Sequence, residues 1–136
     1  MISILVPTRK RVRNIVSLIK SVHDTAENFN NIELCFYADD DDASSISFFE
    51  NLPSDEEFKN IKYIIDKKIL LSETYNKMYE IVDGEIIMYG ADDIRFNTKN
   101  WDKVVEDKFR EFDDRAALVF GFDGVQSPGH LATQRE

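Results

Sequence analysis

Residues 84–93 read Gly-Glu-Ile-Ile-Met-Tyr-Gly-Ala-Asp-Asp, an apolar run that stops at two adjacent carboxylates, Asp92 and Asp93. A short apolar run of this kind predicts a buried strand, and paired acids at its end would deliver hard oxygen ligands to one fixed point. Mg²⁺ and Mn²⁺ prefer such ligands, and Mg²⁺ often takes one or two carboxylates together with substrate phosphates. Taken alone, the pair is also what a solvated turn would contain, so its meaning depends on the elements around it.

Length and composition indicate one domain over residues 1–136 that buries its own core, because 43% of the residues are hydrophobic and 12% aromatic. The net charge of −9 excludes a chain-wide basic surface for nucleic acid or anionic lipid. No run approaches the roughly 18 apolar residues of a membrane span, and the N-terminus lacks the pattern of a signal peptide. Cys35 is the single cysteine, so no internal disulfide can form, and we expect a buried structural thiol and a cytoplasmic location.

Strand and helix patterns alternate along the chain. Short β-branched or apolar runs predict strands at residues 2–6, 32–38, 61–65, 85–89 and 116–120. Helical spacing predicts helices over residues 12–25, 43–52, about 71–82 and about 101–112, with Gly84 as the cap of the third. Such alternation is typical of βαβ units, so we expect an α/β fold with a mainly parallel sheet. The tail at residues 121–136 shows no periodicity.

Polar residues follow three of the predicted strands at the point where each strand ends. Pro7, Thr8 and Arg9 follow the first, Asp39 follows the second, and the Asp92–Asp93 pair follows the fourth. Open parallel sheets bind ligands beyond the carboxyl ends of their strands, at the point where the strand order reverses. We therefore expect these side chains to line one crevice.

Four of the 17 basic residues lie within five positions of the first loop and helix start: Arg9, Lys10, Arg11 and Arg13. Free N–H groups and the dipole at a helix start attract anions, and nearby cations would add attraction for a diphosphate. The alternative is a solvated helix start that pairs with acids elsewhere in the chain. Both interpretations stay open from the sequence, and Arg9 is the leading candidate because it lies nearest the strand.

A run of four acids, residues 39–42, follows the second strand. Dinucleotide-binding folds use an acid at this place to accept hydrogen bonds from a nucleotide, which is the role we predict for Asp39. Asp40, Asp41 and Asp42 are expected to face solvent or to form a weak second cation site. The first loop contains neither a Gly-x-Gly-x-x-Gly sequence nor a phosphate-binding lysine loop, which argues against NAD or FAD.

The chain resembles the N-terminal, nucleotide-binding part of a family 2 glycosyltransferase with the GT-A fold, over about residues 2–120. Four segments match in the family's order. Residues 4–10, Ile-Leu-Val-Pro-Thr-Arg-Lys, resemble the family's first strand and its Pro-Thr-Tyr-Asn turn, and residues 32–39, Ile-Glu-Leu-Cys-Phe-Tyr-Ala-Asp, resemble its second strand. Residues 72–77, Ser-Glu-Thr-Tyr-Asn-Lys, resemble the family's Ala-Arg-Asn-Xaa-Gly helix start, and residues 84–93 resemble its strand with the metal-binding DxD motif. The resemblance implies a Rossmann-like, three-layer α/β/α fold that is incomplete at its C-terminus.

The resemblance also implies roles for individual residues in binding a nucleotide-diphosphate sugar, typically a UDP-sugar. The implied nucleotide-binding residues are Pro7, Thr8, Arg9, Asp39, Asn76, Asp92 and Asp93. Asp39 would accept from the base. Asp92 would bind Mn²⁺ or Mg²⁺, and Asp93 would contact the cation or the ribose. The cation neutralises the departing diphosphate, and the sugar passes to a hydroxyl acceptor with inversion.

Three features depart from the family pattern. Arg9 and Lys10 stand where the family often has Tyr-Asn, and Gly90 stands where the DxD motif has its first acid. The family's catalytic base and acceptor site lie beyond the DxD motif, so we expect this chain to be a fragment with its base outside it. His130 is a loop residue without an assigned role. Exposed apolar surface near residues 120–122 would favour self-association.

Two other functions remain to be separated from glycosyl transfer. A nucleotidyltransferase uses a similar sheet and acidic metal site, but it would show a glycine-rich, lysine-bearing first loop, which residues 7–13 lack. A non-catalytic nucleotide-sugar-binding or interaction module would bind the same ligand without turnover.

Overall fold

The computed structural model describes residues 1–113 and 117–119. The strands are β1 (Ile2–Thr8), β2 (Ile32–Asp39), β3 (Ile61–Asp66) and β4 (Ile86–Tyr89). The helices are α1 (Val12–Thr25), α2 (Ala43–Glu50), α3 (Leu71–Tyr79) and α4 (Trp101–Arg110). Single 3₁₀ turns at Phe29–Asn31 and Glu56–Phe58 precede β2 and β3. The first four predicted strands and all four predicted helices are thereby confirmed in type, with boundaries that shift by a few residues.

The four strands form one parallel sheet in the order β3-β2-β1-β4. The chain builds outward from β1 to β2 and β3, then crosses back to place β4 on the other side of β1. The strand order therefore reverses between β1 and β4, which is where open α/β sheets form their ligand crevice. This arrangement confirms the predicted α/β, Rossmann-like class.

The core lies on both faces of the sheet because β1 and β2 are its two interior strands. Alternate residues of an interior strand point to opposite faces, so both strands consist almost wholly of buried residues. On one face Leu5 and Cys35 pack with Met78 of α3. On the other face Phe36 packs against Phe49 of α2, with ring centroids 5.3 Å apart. Helices thus cover the sheet on both sides.

Cys35 is buried within this core. Burial disfavours the thiolate and raises the pKa of the Cys35 thiol to about 12. The side chain therefore acts as a small apolar group, as its position in an apolar run predicts.

Pro7 belongs to β1 and does not end it, in contrast to the prediction that the strand stops at Val6. Pro7 pairs in register with Tyr37 of β2, whereas β4 pairs with β1 only as far as Leu5, opposite Tyr89. No residue of β4 lies opposite Pro7. The missing N–H of Pro7 therefore costs no hydrogen bond to β4.

Gly84 is not the cap of α3, which ends at Tyr79, so that prediction was wrong. Its backbone N–H instead donates to Ser3 Oγ at 2.8 Å and to Glu33 Oε1 at 3.1 Å. A Cβ atom at this position would lie 2.2 Å from Ser3 Oγ and 2.7 Å from Ser3 N. The glycine is needed because the chain approaches β1 this closely just before β4 begins.

The amino ends of the strands are joined by one buried carboxylate, in a group we call the amino-edge clamp (Ser3, Glu33, Lys62, Asp83 and Gly84). Glu33 accepts hydrogen bonds from the Ser3 hydroxyl at 2.6 Å and from the N–H groups of Asp83 and Gly84 at 2.6 and 3.1 Å. The Lys62 ammonium lies 3.0 Å from its second oxygen. Burial alone would raise the pKa of Glu33, but these donors outweigh it and hold that pKa below its ordinary value.

The chain divides into two compact units, residues 1–103 and 104–136, and the sheet belongs to the first. The predicted fifth strand is not found at residues 117–119, which form no regular structure; Ala116 and Phe120 lie outside the described residues. The tail at 121–136, with His130, also lies outside them. Within the described part of the chain no helix combines the length and apolar character needed to cross a membrane.

Candidate functional site

The carboxyl ends of β1, β2 and β4 meet at one edge of the sheet, as the order of strand ends predicts. Thr8 ends β1 beside Ala38 of β2, and its hydroxyl donates to Asp92 Oδ2 at 2.8 Å across 84 residues of sequence. Arg9, the next residue, donates to Asp39 Oδ2 at 2.5 Å. We call Thr8, Arg9, Arg11, Asp39 and Asp92 the carboxyl-edge site.

Asp92 is the buried acid of this site, with 4% of its surface exposed. Its position follows from Gly90, whose N–H donates to the Leu5 carbonyl at 2.8 Å and keeps the chain beside β1. One carboxylate oxygen accepts from Thr8, and the other lies 3.2 Å from Nη1 of Arg11. Asp93 is exposed. The two adjacent acids therefore differ, because Asp92 is buried at the sheet edge and Asp93 is not.

Gly90 stands where the resemblance predicts the first acid of the DxD motif, and packing accounts for the difference. A Cβ atom at this position would lie 3.1 Å from Cγ2 of Ile4 and 3.2 Å from Cγ2 of Val6. Both neighbours are fully buried β1 residues, so a side chain at position 90 would require these methyl groups to shift by a few tenths of an ångström.

Arg9 joins two members of the acid run. Besides Asp39, it donates to both oxygens of Asp41, at 2.6 and 3.0 Å. These bonds, chiefly those to Asp41, raise the pKa of the Arg9 guanidinium, and they lower the pKa of Asp41. Asp39 is engaged through Oδ2 only.

The basic cluster divides in the structure. Arg9 and Arg11 turn toward acids at the sheet edge, whereas Arg13 is exposed on the first turn of α1. Within the described residues no hydrogen bond or ion pair joins the Arg13 side chain to the carboxyl-edge site. The two nearer arginines thus pair with acids in this structure, and their role toward a diphosphate stays a prediction.

Asp42 corrects the prediction that it faces solvent or forms a second cation site. It is fully buried and caps α2, accepting from Ser45 N at 3.2 Å and Ser45 Oγ at 2.6 Å. Asp42 also accepts a hydrogen bond of 2.6 Å from the backbone N–H of Lys10, a residue in the left-handed conformation with φ 54°. Burial opposes its ionisation, yet these bonds lower the pKa of Asp42 to about 2. Asp42 therefore ties the first loop to α2.

The four acids at residues 39–42 therefore differ in burial and in hydrogen-bond partners. Asp40 and Asp41 are both exposed, as predicted, and Asp41 also forms an ion pair with Arg9. Only Asp42 carried a recognisable capping signal, since it immediately precedes the helical pattern that begins at Ala43.

The structure does not bring Asn76 into the site, because it is exposed on α3. Its two neighbours point to strand ends instead. The Tyr75 hydroxyl donates to the Gly90 carbonyl at 3.0 Å, and Lys77 forms an ion pair with Asp66 at the end of β3. The sequence analysis gives Tyr75 no role of its own, so its contact with the Gly90 carbonyl was missed.

The donor set at this edge was compared with what a divalent cation requires. The described residues contain no group of three or more His, Cys, Asp or Glu side chains arranged to hold a metal ion. Mg²⁺ sites, however, commonly use one or two carboxylates and complete their coordination with substrate phosphates and water. Buried Asp92 fits as one carboxylate of such a site once the guanidinium of Arg11 gives way, and exposed Asp93 follows it in sequence.

Solved structures of TarS from S. aureus share this fold. TarS residues 1–349 superpose with a TM-score of 0.65 at 17% identity, over 81% of this chain and 32% of TarS. The complex with UDP-GlcNAc also gives 0.65 at 17% identity, over 81% and 31%. The complex with UDP gives 0.59 at 16% identity, over 80% and 32%.

This likeness confirms the fold: the chain has the GT-A-like architecture of the glycosyltransferase TarS. The chain spans about a third of the length of these structures. No protein-family model matches the sequence, and no curated protein matches it.

Proposed function

We propose that this chain is the nucleotide-sugar-binding part of a glycosyltransferase that uses a UDP-sugar. The observation that carries the proposal is the meeting of Thr8 and Asp92 at the strand-order reversal, with Arg9 and Asp39 beside them. The fold in which they meet is that of TarS, whose structures include complexes with UDP and UDP-GlcNAc.

Asp39 is the proposed acceptor for the nucleotide base. Its carboxylate is held by Arg9 through Oδ2, which leaves Oδ1 for an N–H group of the base. The side chain is 13% exposed, so the acid is open to a ligand on one side only. Pro7 and Thr8 would border the base and ribose. Asn76 would join them only if the ligand itself extends to α3.

Asp92, assisted by Asp93, is the proposed ligand of Mn²⁺ or Mg²⁺. A bound cation would neutralise the diphosphate that departs during transfer. Burial of Asp92 supports this assignment, because a carboxylate shielded from water interacts more strongly with a cation than an exposed one.

The proposed reaction is a direct displacement. An acceptor hydroxyl attacks the anomeric carbon of the sugar, the bond from that carbon to the diphosphate oxygen breaks, and UDP leaves with inversion at the carbon. The hydroxyl proton must pass to a base, and no described residue is assigned this role.

Calorimetric titration of UDP with and without Mn²⁺ tests the binding proposal. We expect Mn²⁺ to tighten UDP binding to the wild type and Asp92→Asn to abolish that gain, a loss of about 10-fold or more for a charged contact. Asp40→Asn is the control, because it removes the same charge from an exposed position. The proposal is lost if Mn²⁺ adds no affinity or if Asp92→Asn binds UDP like the wild type.

A second assay separates the alternative activities. UDP-GlcNAc incubated with the chain and Mn²⁺ is followed for released UDP, and nucleoside triphosphates are followed for released pyrophosphate. UDP release supports a transferase. Binding without release favours a non-catalytic nucleotide-sugar-binding module, and pyrophosphate release identifies a nucleotidyltransferase.

A further inference from the structure

Two arginines of the first loop contact the acids of the carboxyl-edge site in different ways. Arg9 donates three hydrogen bonds to two carboxylates, between 2.5 and 3.0 Å. Arg11 donates a single bond of 3.2 Å to Asp92, and 58% of its side chain is exposed. Several short bonds fix a guanidinium in place, whereas one long contact from an exposed side chain contributes little and breaks readily. Arg11 is therefore the arginine that can leave its partner.

When Arg11 moves away, the buried Asp92 carboxylate favours another cation in its place. Its carboxylate is buried, and in residues 1–113 and 117–119 the only other side chain that donates to it is the neutral Thr8 hydroxyl. A buried carboxylate without a cation beside it is destabilised by the loss of hydration. A state in which Arg11 has moved away thus favours another cation at the same carboxylate.

We propose that Arg11 and a divalent cation exchange at Asp92, and that the released guanidinium binds the diphosphate of the nucleotide. This inference rests on the proposed function. A diphosphate that shares its cation with Asp92 lies within reach of Arg11, because Nη1 of Arg11 is already 3.2 Å from that carboxylate. A guanidinium binds phosphate oxygens in pairs. Arg11 therefore neutralises Asp92 when the site is empty and selects a nucleoside diphosphate over a monophosphate when it is filled.

Mn²⁺ binding to the full 136-residue chain without nucleotide tests the exchange. The free Mn²⁺ concentration is measured by electron paramagnetic resonance for the wild type, Arg11→Met and Arg13→Met. Both substitutions remove one positive charge from an exposed side chain at the start of α1, but only Arg11 contacts Asp92. We expect Arg11→Met to bind Mn²⁺ about 3- to 5-fold more tightly, because its competitor is gone. A gain no larger than that of Arg13→Met, or no Mn²⁺ binding by any of the three, overturns the exchange.

UDP and UMP titrations at saturating Mn²⁺ test the second half of the proposal. We expect Arg11→Met to lower UDP affinity about 10-fold or more while changing UMP affinity less, since only UDP presents a second phosphate. Arg11→Lys keeps the charge without the paired donors and should fall between the wild type and Arg11→Met. If Arg11→Met keeps the wild-type preference for UDP over UMP, the diphosphate role of Arg11 is wrong.

The two titrations separate this inference from the proposed function. A wild-type chain that binds Mn²⁺ but no UDP contradicts the proposed function and the diphosphate role of Arg11. In that case the comparison of Mn²⁺ binding among the wild type, Arg11→Met and Arg13→Met decides whether the exchange occurs. A wild-type chain that binds UDP, with Arg11→Met and Arg13→Met alike in every titration, overturns the inference and leaves the proposed function standing. Urea unfolding midpoints of the variants verify that each remains folded.

Discussion

The two edges of the sheet each bury a carboxylate beside β1, yet they surround it differently. At the amino edge Glu33 meets the Ser3 hydroxyl, two backbone N–H groups and Lys62. At the carboxyl edge the Asp92 carboxylate accepts, among the described residues, from the Thr8 hydroxyl and from the exposed Arg11, while Arg95 contacts the Asp92 backbone carbonyl. A fully satisfied carboxylate holds strands together, whereas one with few donors is open to exchange. The amino edge thus holds strands together, and the carboxyl edge is the one proposed to bind a ligand.

The largest effect on stability is expected at the amino edge. Glu33→Ala should lower the free energy of unfolding by about 3–5 kcal/mol, because it removes the buried acceptor shared by the Ser3 hydroxyl and the N–H groups of Asp83 and Gly84, and one carboxylate partner of Lys62. Glu33→Gln retains one acceptor oxygen and should cost less. Urea denaturation measures both variants. Equal losses for Glu33→Ala and Asp92→Ala would remove the contrast between the two edges.

The glycines at the two edges provide the next comparison. Gly84→Ala should cost about 3 kcal/mol, the upper end of overpacking effects, because its Cβ would meet the Ser3 backbone N at 2.7 Å. Gly90→Ala should cost about 1 kcal/mol, because its neighbours are side-chain methyl groups beyond 3 Å that can shift slightly. Thermal and urea unfolding of the two variants give the ranking, and a larger loss at Gly90 would contradict this account of the close approach at Gly84.

Acid should weaken the link between the first loop and α2. The folded pKa of Asp42 is about 2 against an ordinary 3.8, so its contribution is complete above about pH 4 and disappears as the pH falls through 2. The expected loss is about 2 kcal/mol. Urea unfolding between pH 5 and pH 2 should therefore show a shallower pH dependence for Asp42→Asn than for the wild type. Asp40→Asn is the charge-matched control, and an unchanged slope in Asp42→Asn would count against the buried cap.

The smallest change in stability is expected at Asp92. Asp92→Asn should alter the free energy of unfolding by less than about 1 kcal/mol, because its amide oxygen can still accept from Thr8 and the lost partner is an exposed arginine. The same variant should lose the Mn²⁺-dependent part of UDP affinity. A large stability loss in urea denaturation would instead place Asp92 with Glu33 among the structural carboxylates.

Local patterns predicted most of the fold because hydrophobic periodicity depends on residues close in sequence. The helix predicted over residues 12–25 coincides with α1, since its buried stripe recurs every three to four residues. The wrong predictions concern residues whose environment depends on a segment far away in the sequence. The role of Gly84 depends on a contact with Ser3 that spans 81 residues. The cap made by Asp42 has a local signal, but its bond from the Lys10 N–H spans 32 residues.

For the carboxyl-edge site, the sequence alone determined which residues stand at strand ends, since the end of an apolar run marks the end of a strand. It also determined the parallel α/β class, through alternating strand and helix periods. Only the tertiary structure decided which arginine meets which acid. Arg9 and Asp39 are separated by 30 residues, and Thr8 and Asp92 by 84. Such pairings depend on the strand order β3-β2-β1-β4, which places β2 and β4 on opposite sides of β1 and leaves no trace in local periodicity.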